Sequence, residues 1–337
     1  MLNRQFNKSL HGLRGFSSLL VFFGHSFYFI ANQFKDNEYI HNFSLAFNRI
    51  GTYGVEIFFI LSGYLIWKSI HRYDLYTFMK HRVYRVYPIF LFFTLLFFIG
   101  NSFMASSAME NDTVVLLTNL LFINNLFFMP TLTPNAWTVI LEMWYYSITV
   151  LFVYSFRNKK QFLIYIAFII SCIILYEYPV SIYFIIGVVV SYSIEKFDCK
   201  YLNLMGLIAG ICIVYINYQH NFKYTLAEFK DSYLMIVILI TSTTIFFIAI
   251  LKGFLNNVLS SKVFLFLGNI SYTLYLLHPY PYVVLNKTFA PLLFGLSYDP
   301  ILLIVLYFTV LTTVTIVSSV IIHRYVENIL YNTLKKI

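Results

Sequence analysis

Arg14 and His25 stand eleven residues apart in the apolar stretch "LHGLRGFSSLLVFFGHSF", Leu10 to Phe27. At about 100° per residue that spacing is three turns plus roughly 20°. Both side chains then lie on one face of a helix, about 16 Å apart along its axis. A guanidinium near one end and an imidazole deeper in read as two parts of one cavity. Three more ionisable groups fall in apolar runs: Glu56 in "GTYGVEIFFILSGYLIW", Glu142 in "NAWTVILEMWYY" and His278 in "GNISYTLYLLHPYPY". A charge inside a bilayer costs a few kcal/mol or more, so each is a functional-site candidate. The blander readings are snorkelling for Arg14 and structural hydrogen bonds for the others. A His beside a carboxylate suits general-base work, because the carboxylate orients the ring and stabilises the imidazolium. Counting inward from the outer ends of their segments puts His25, Glu56, Glu142 and His278 at one level of the outer half. On the other side, "KHRVYRVYP" places Lys80, Arg82 and Arg85 in a loop joining two spans, near the expected end of Arg14. Such a cluster suits phosphate groups; a plain topology signal or contact with anionic lipid is the alternative.

The elements that must position these groups are membrane helices. Of 337 residues, 60% are hydrophobic and 11% charged, against about 25% charged in soluble domains. The apolar runs reach the 18 or more residues that span about 30 Å of hydrocarbon. The expected fold is all-α, a polytopic membrane protein with about ten transmembrane helices. The expected spans are 10–31, 52–70, 86–104, 137–156, 161–177, 179–195, 202–218, 232–251, 264–286 and 300–323. The stretch 113–130 holds three Asn and ends in Pro130, so a re-entrant or interfacial element is expected there rather than an eleventh span. With the N-terminus inside, seventeen of the 23 Lys and Arg fall in cytoplasmic segments, five fall outside, and Arg14 lies within the first span. That bias puts both termini in the cytoplasm. It also explains the +9 charge without nucleic acid as a partner. Cys172, Cys199 and Cys212 show no metal-ligand or disulfide spacing, and no metal is expected. The first run contains Arg14 and has no small-residue cleavage site, so it reads as a retained span. A single membrane-embedded domain over 1–337, with no appended soluble domain, is the expected organisation.

The motifs that carry these residues resemble the acyltransferase-3 family of integral membrane acyltransferases, whose bacterial members O-acetylate polysaccharides. "LHGLRGFSSLLVFFGH" is similar to the family's opening LDGLRG, hydrophobic run and His. "YGVEIFFILSGYLI", "HRVYRVYP", "AWTVILEMWYY", "GNISYTLYLLHPY" and "HRYVENIL" resemble its later motifs, in family order. Each is weak alone; six in order are specific. The resemblance implies acetyl-CoA or another acyl-CoA bound from the cytoplasm, and transfer to a sugar hydroxyl on the far side. It maps donor-binding roles onto Arg14, Arg82, Arg85 and Ser62, and the acidic motif onto Glu142. Two departures stand out. His11 replaces the family Asp, and Asn328 and Ile329 follow Glu327 where Pro is common.

The expected catalytic residues are therefore His25 as base, with Glu142 or Glu56 orienting it or holding the sugar. His278 and Trp137 are expected to bind substrate. Ser62, Tyr64 and backbone amides are all candidate oxyanion donors. Direct attack on the thioester and a route through acylated His25 both remain open. The expected partners are acyl-CoA, a glycan acceptor, the lipid bilayer and polysaccharide-assembly proteins, in the bacterial cytoplasmic membrane. The rivals are a transporter or flippase of a lipid-linked glycan and an acyltransferase acting on a non-glycan acceptor. Acceptor choice is expected in 32–51, 219–231 and 101–136.

Overall fold

A computed structural model describes residues 7–70, 72–103, 112–193, 201–220, 233–251 and 253–336. Lys196, Lys200, Cys199, Lys252, most of 219–231 and the end of the 179–195 span lie outside the described residues. Every regular element among the described residues is helical. The helices are α1 (Lys8–Gln33), α2 (Glu38–Ile50), α3 (Thr52–Ile70), α4 (Leu75–Phe103), α5 (Thr113–Leu120), α6 (Ala136–Arg157), α7 (Gln161–Glu177) and α8 (Ile182–Ser193). They continue with α9 (Leu202–Gln219), α10 (Tyr233–Ile250), α11 (Phe254–Leu259), α12 (Lys262–Leu277), α13 (Pro279–Phe294), α14 (Pro300–Ile322) and α15 (Asn328–Lys336). A π turn, His323–Glu327, joins α14 to α15.

Seven helical stretches are long and apolar enough to cross a membrane: Lys8–Gln33, Glu38–Ile70, Leu75–Ser102, Ala136–Arg157, Leu202–Gln219, Tyr233–Ile250 and Pro300–Lys335. Gln161–Glu177, Pro179–Tyr192 and Lys262–Leu277 are shorter apolar helices. The chain is thus a multi-pass, all-α membrane protein. Three boundaries differ from expectation. The 32–51 segment, expected as an outer loop, contains α2, capped by the Asn37 side chain at the Ile40 amide. Helix α4 begins at Leu75, so Lys80, Arg82 and Arg85 stand on a helix and not in a loop. Its start is capped by Asp74, whose carboxyl accepts from the Thr77 amide at 2.9 Å. The Thr77 hydroxyl first, then that amide, hold Asp74 below the usual carboxylate range. The expected 264–286 span breaks at His278, where Pro279 starts a new helix; proline lacks the N–H that would continue the ladder.

Residues 113–130 form the eight-residue α5 and a 3-10 turn at Asn124–Phe127. Eight residues rise only about 12 Å, too little to cross a bilayer. The Asn residues explain the shape. The Asn119 amide donates to Val115 O and Pro130 O, and its oxygen accepts from the Leu132 amide. Asn124 donates to Asn125 Oδ1 and Thr131 Oγ1. These bonds satisfy a folded-back loop that lipid would leave unpaired.

The described residues divide into two compact units, 1–69 with 168–272 and 70–167 with 273–337. In the first unit α1 packs on α2, α10 and α11, and α9 packs on α2 and α10. Tyr53, Ile213, Ile216, Met235 and Ile238 form a buried apolar cluster there. Small residues let backbones touch, the usual basis of helix association in membranes. A Cβ on Gly63 of α3 would lie 2.0 Å from Phe184 O, and one on Gly187 of α8 would lie 2.0 Å from Ile60 O. In the second unit α4 packs on α5, α6 and α15, and α13 packs on α14. Asp299 caps α14 by accepting from the Ile301 and Leu302 amides, with Pro300 in the first turn.

Candidate active site

In the first unit, Arg14 and His25 share one face of α1. Arg14 is half-buried and His25 is accessible. Val21 and Ser18, between them on that face, are buried. Toward the helix end, Tyr28 and Asn32 continue the face and are accessible. His25 is therefore the innermost residue of an accessible stripe, eight residues or about 12 Å from Gln33. The neighbouring hydroxyls are spent locally: Ser17, Ser18 and Ser26 donate to Leu13 O, Gly15 O and Phe22 O.

His11, at the place of the family Asp, faces Asn269 of α12, its Nε2 2.8 Å from Asn269 Oδ1. It thus links the opening motif to "GNISYTLYLLH". Glu56 is 0% exposed. Ser242 of α10 donates to its Oε2, and Tyr183 of α8 stands beside the carboxyl. Tyr53, one turn before Glu56, accepts from Asn217 at 3.4 Å, and Arg49 donates to Asn217 O at 2.9 Å. Arg49, Tyr53 and Glu56 thus bring one face of α2 and α3 against α8, α9 and α10. Ser62 is half-buried. Tyr64 is buried, edge-on to Phe246 and beneath the Lys68 ammonium at 5.4 Å.

In the second unit, the Tyr146 hydroxyl donates to Glu142 Oε1, one turn back on α6. The Arg82 guanidinium of α4 lies 5.0 Å from the Tyr146 ring and 5.3 Å from the Phe78 ring. Those rings meet edge to face at 6.2 Å. Arg85, three residues on, also bears electrostatically on Tyr146. So Arg82 and Glu142, assigned separately from the sequence, converge on one tyrosine, with Arg85 three residues from Arg82 on the same helix. Arg82, Arg85 and Glu142 are half-buried.

His278 is 1% exposed, at the break before α13. Asn135 donates to Tyr275 O at 2.9 Å and lies 3.3 Å from His278 Nε2. Thr138 donates to Asn135 O at 3.0 Å and meets the Tyr275 hydroxyl at 2.9 Å. Trp137 is half-buried in the first turn of α6. The π turn carries a separate cluster. Glu327 Oε2 accepts from the Thr273 hydroxyl and lies 2.8 Å from His323 Nδ1. The closing motif's Glu therefore clasps the "SYTLYLLH" segment. Among the described residues no three His, Cys, Asp or Glu converge as metal ligands.

Sequence reasoning missed Tyr146, Asn135, Tyr275, Ser242 and Thr273. The spacing of Phe78 and Arg82, and of Glu142 and Tyr146, is one turn in each case. That was the available signal for the α4–α6 cluster.

Comparison with known proteins gives the family. The model described as "Acyltransferase domain", the acyltransferase-3 type, matches residues 7–324. A protein of Acidianus two-tailed virus, provisionally named acetyltransferase ORF330, is 24% identical over 304 residues, 82% of this chain and 84% of its own length. Acyltransferase MdmB of Streptomyces mycarofaciens is 32% identical over 84 residues, 25% of this chain and 21% of that protein. No solved structure matches the chain. With the family model spanning nearly the whole length, and with its motif residues on the elements described above, the chain belongs to the acyltransferase-3 family and is a multi-pass membrane acyltransferase.

Proposed function

We propose that this acyltransferase moves an acetyl group from cytoplasmic acetyl-CoA to a hydroxyl of a cell-surface or lipid-linked glycan, in a bacterial cytoplasmic membrane with both chain termini inside. The convergence of Arg82 and Glu142 on Tyr146, with Arg85 three residues from Arg82, carries this reading. Arg82 and Arg85 stand three residues apart on one helix, both half-buried, and the Arg82 guanidinium is backed by two rings; such a pair suits the phosphates of CoA, because guanidinium pairs bidentately with phosphate and stacks on aromatic faces.

His25 is the proposed base, since it is the innermost accessible group of its stripe. It takes the proton of the acceptor hydroxyl as that oxygen bonds to the acyl carbon. The carbon–sulfur bond then breaks, and His25 returns the proton to the thiolate, so protons balance. Glu142 is preferred to Glu56 as the acidic partner of the reaction: Glu142 is half-accessible, whereas Glu56 is fully enclosed. Arg14 and Ser62 are assigned to the donor and Trp137 to the acceptor. The enclosed His278 acts on the acceptor side only through the side chains around it. Polysaccharide-assembly proteins are the proposed partners.

The test compares the surface polysaccharide of a deletion strain carrying wild type with one carrying His25→Ala, read by mass spectrometry and proton NMR. O-acetyl groups present with wild type and absent with the variant, at equal protein level, support the reading. Identical glycans in both and in the deletion strain overturn the glycan assignment. Acetyl retained on the protein without acceptor would point to the route through acylated His25.

A further inference from the structure

We infer that Tyr146 is a positioning residue for acyl transfer, its hydroxyl holding the Glu142 carboxylate and its ring holding the Arg82 guanidinium. The inference rests on the assignment of Arg82 to the acyl-CoA donor and of Glu142 to the reaction.

Tyr146 is 2% exposed, so it touches no substrate itself. Its two partners are half-buried and can each present a face to a ligand. The hydroxyl donates to Glu142 Oε1 along α6, which orients the carboxylate on its own helix. The ring meets Arg82 of α4 at 5.0 Å, and Phe78 closes on both from one turn before Arg82. One buried side chain thus ties a group on α6 to a group on α4. The two links also reinforce each other. A phenol that donates to a carboxylate gains electron density in its ring, and a cation over that ring is then held more firmly.

The two links separate by substitution. Tyr146→Phe keeps the ring and loses the hydroxyl. Tyr146→Leu loses both. A hydrogen bond to a charged group corresponds to about tenfold or more in an equilibrium.

The experiment uses the full chain in lipid nanodiscs, with CoA as the binding probe, and O-acetyl content of the surface glycan in cells as the transfer readout. The expected result for Tyr146→Phe is CoA affinity within about twofold of wild type and transfer reduced about tenfold or more. For Tyr146→Leu, CoA affinity also falls, by about fivefold or more. Full transfer by Tyr146→Phe overturns the inference, and so does equal loss of CoA affinity in both variants. If wild type itself binds no CoA, the donor assignment fails and this inference falls with it, an outcome distinct from the previous two. Where Tyr146→Phe fails to accumulate, 3-fluorotyrosine at this position keeps shape and fold while making the hydroxyl a stronger donor. The same fluorine draws electron density from the ring that holds Arg82, so CoA affinity should fall about twofold or more; an unchanged affinity overturns the inference.

Discussion

The crossing of α3 and α8 permits a sharp test. At Gly63 a methyl would sit 2.0 Å from Phe184 O, and at Gly187 it would sit 2.0 Å from Ile60 O, where ordinary contact begins at 3.4 Å. The obstacle is backbone in both cases and has no rotamer to change. Gly63→Ala must therefore part the helices by more than an ångström. Such overpacking costs about 1–3 kcal/mol, offset by up to about 1 kcal/mol because Ala is the better helix former. The same substitution at Gly210 of α9 meets nothing within 4 Å. There only the propensity gain applies, and the protein should be unchanged or slightly more stable. Once the helices have parted for one methyl, the second has room. The double variant Gly63→Ala/Gly187→Ala should then lose less than the sum of the singles, with a coupling of about 0.5–3 kcal/mol.

The assay is thermal unfolding in detergent, followed by size-exclusion fluorescence. A net loss of 1–2 kcal/mol corresponds to several degrees, at about 2–4 °C per kcal/mol for chains of 150–250 residues and less for longer ones. Two results would refute the reasoning. Gly63→Ala could behave like Gly210→Ala, or the two single losses could add in full.

Three further predictions follow from local contacts. His11→Ala should cost about 0.5–1.5 kcal/mol through the lost contact to Asn269, and His11→Asp should restore part of that loss, because the Asn269 amide can turn and donate to a carboxylate; unchanged stability in His11→Ala would show that the contact contributes nothing. The Asp74 carboxyl is held below its ordinary range in the folded chain, so its stabilising effect is present above the ordinary carboxylate range and is lost as pH falls through the lowered value. The stability gap between wild type and Asp74→Ala should accordingly be full at neutral pH and close in acid, and a constant gap would contradict this. Glu327→Ala should cost about 1–3 kcal/mol by leaving the buried Thr273 hydroxyl unpaired, while adding Thr273→Val should restore part of the loss; no recovery in the double variant would place the cost elsewhere.

Hydropathy made most of the spans legible, because long apolar runs have few other solutions. It misread the start of α4. Lys80, Arg82 and Arg85 look like loop residues, yet Lys80 lies over Tyr84 at 5.3 Å and Arg82 lies over two rings. Aromatic faces make those charges tolerable on a helix. The break at His278 was signalled by the Pro that follows it, but the apolar run continued past it and concealed the change of element. The segment 113–130 was readable because three Asn in an apolar run demand partners. Tyr146 was not readable: among 29 Tyr in the chain, nothing but its position one turn from Glu142 distinguishes it.

The four ionisable residues expected at one level separate by accessibility rather than by type. His25 is accessible and Glu142 half-accessible, while Glu56 and His278 are enclosed. An enclosed side chain cannot touch an acceptor, so its contribution to the reaction can only pass through its neighbours. For Glu56 those are Ser242 and Tyr183; for His278, Asn135. A His and a Glu of each kind occur, so residue identity could not rank them. Burial inside a helix bundle is set by which neighbouring helices cover a given face, and that information resides in small contact residues such as Gly63 and Gly187 rather than in the ionisable residues themselves. The same reasoning makes Tyr146 the informative position: it is the enclosed residue whose neighbours, Glu142 and Arg82, both remain within reach of a ligand.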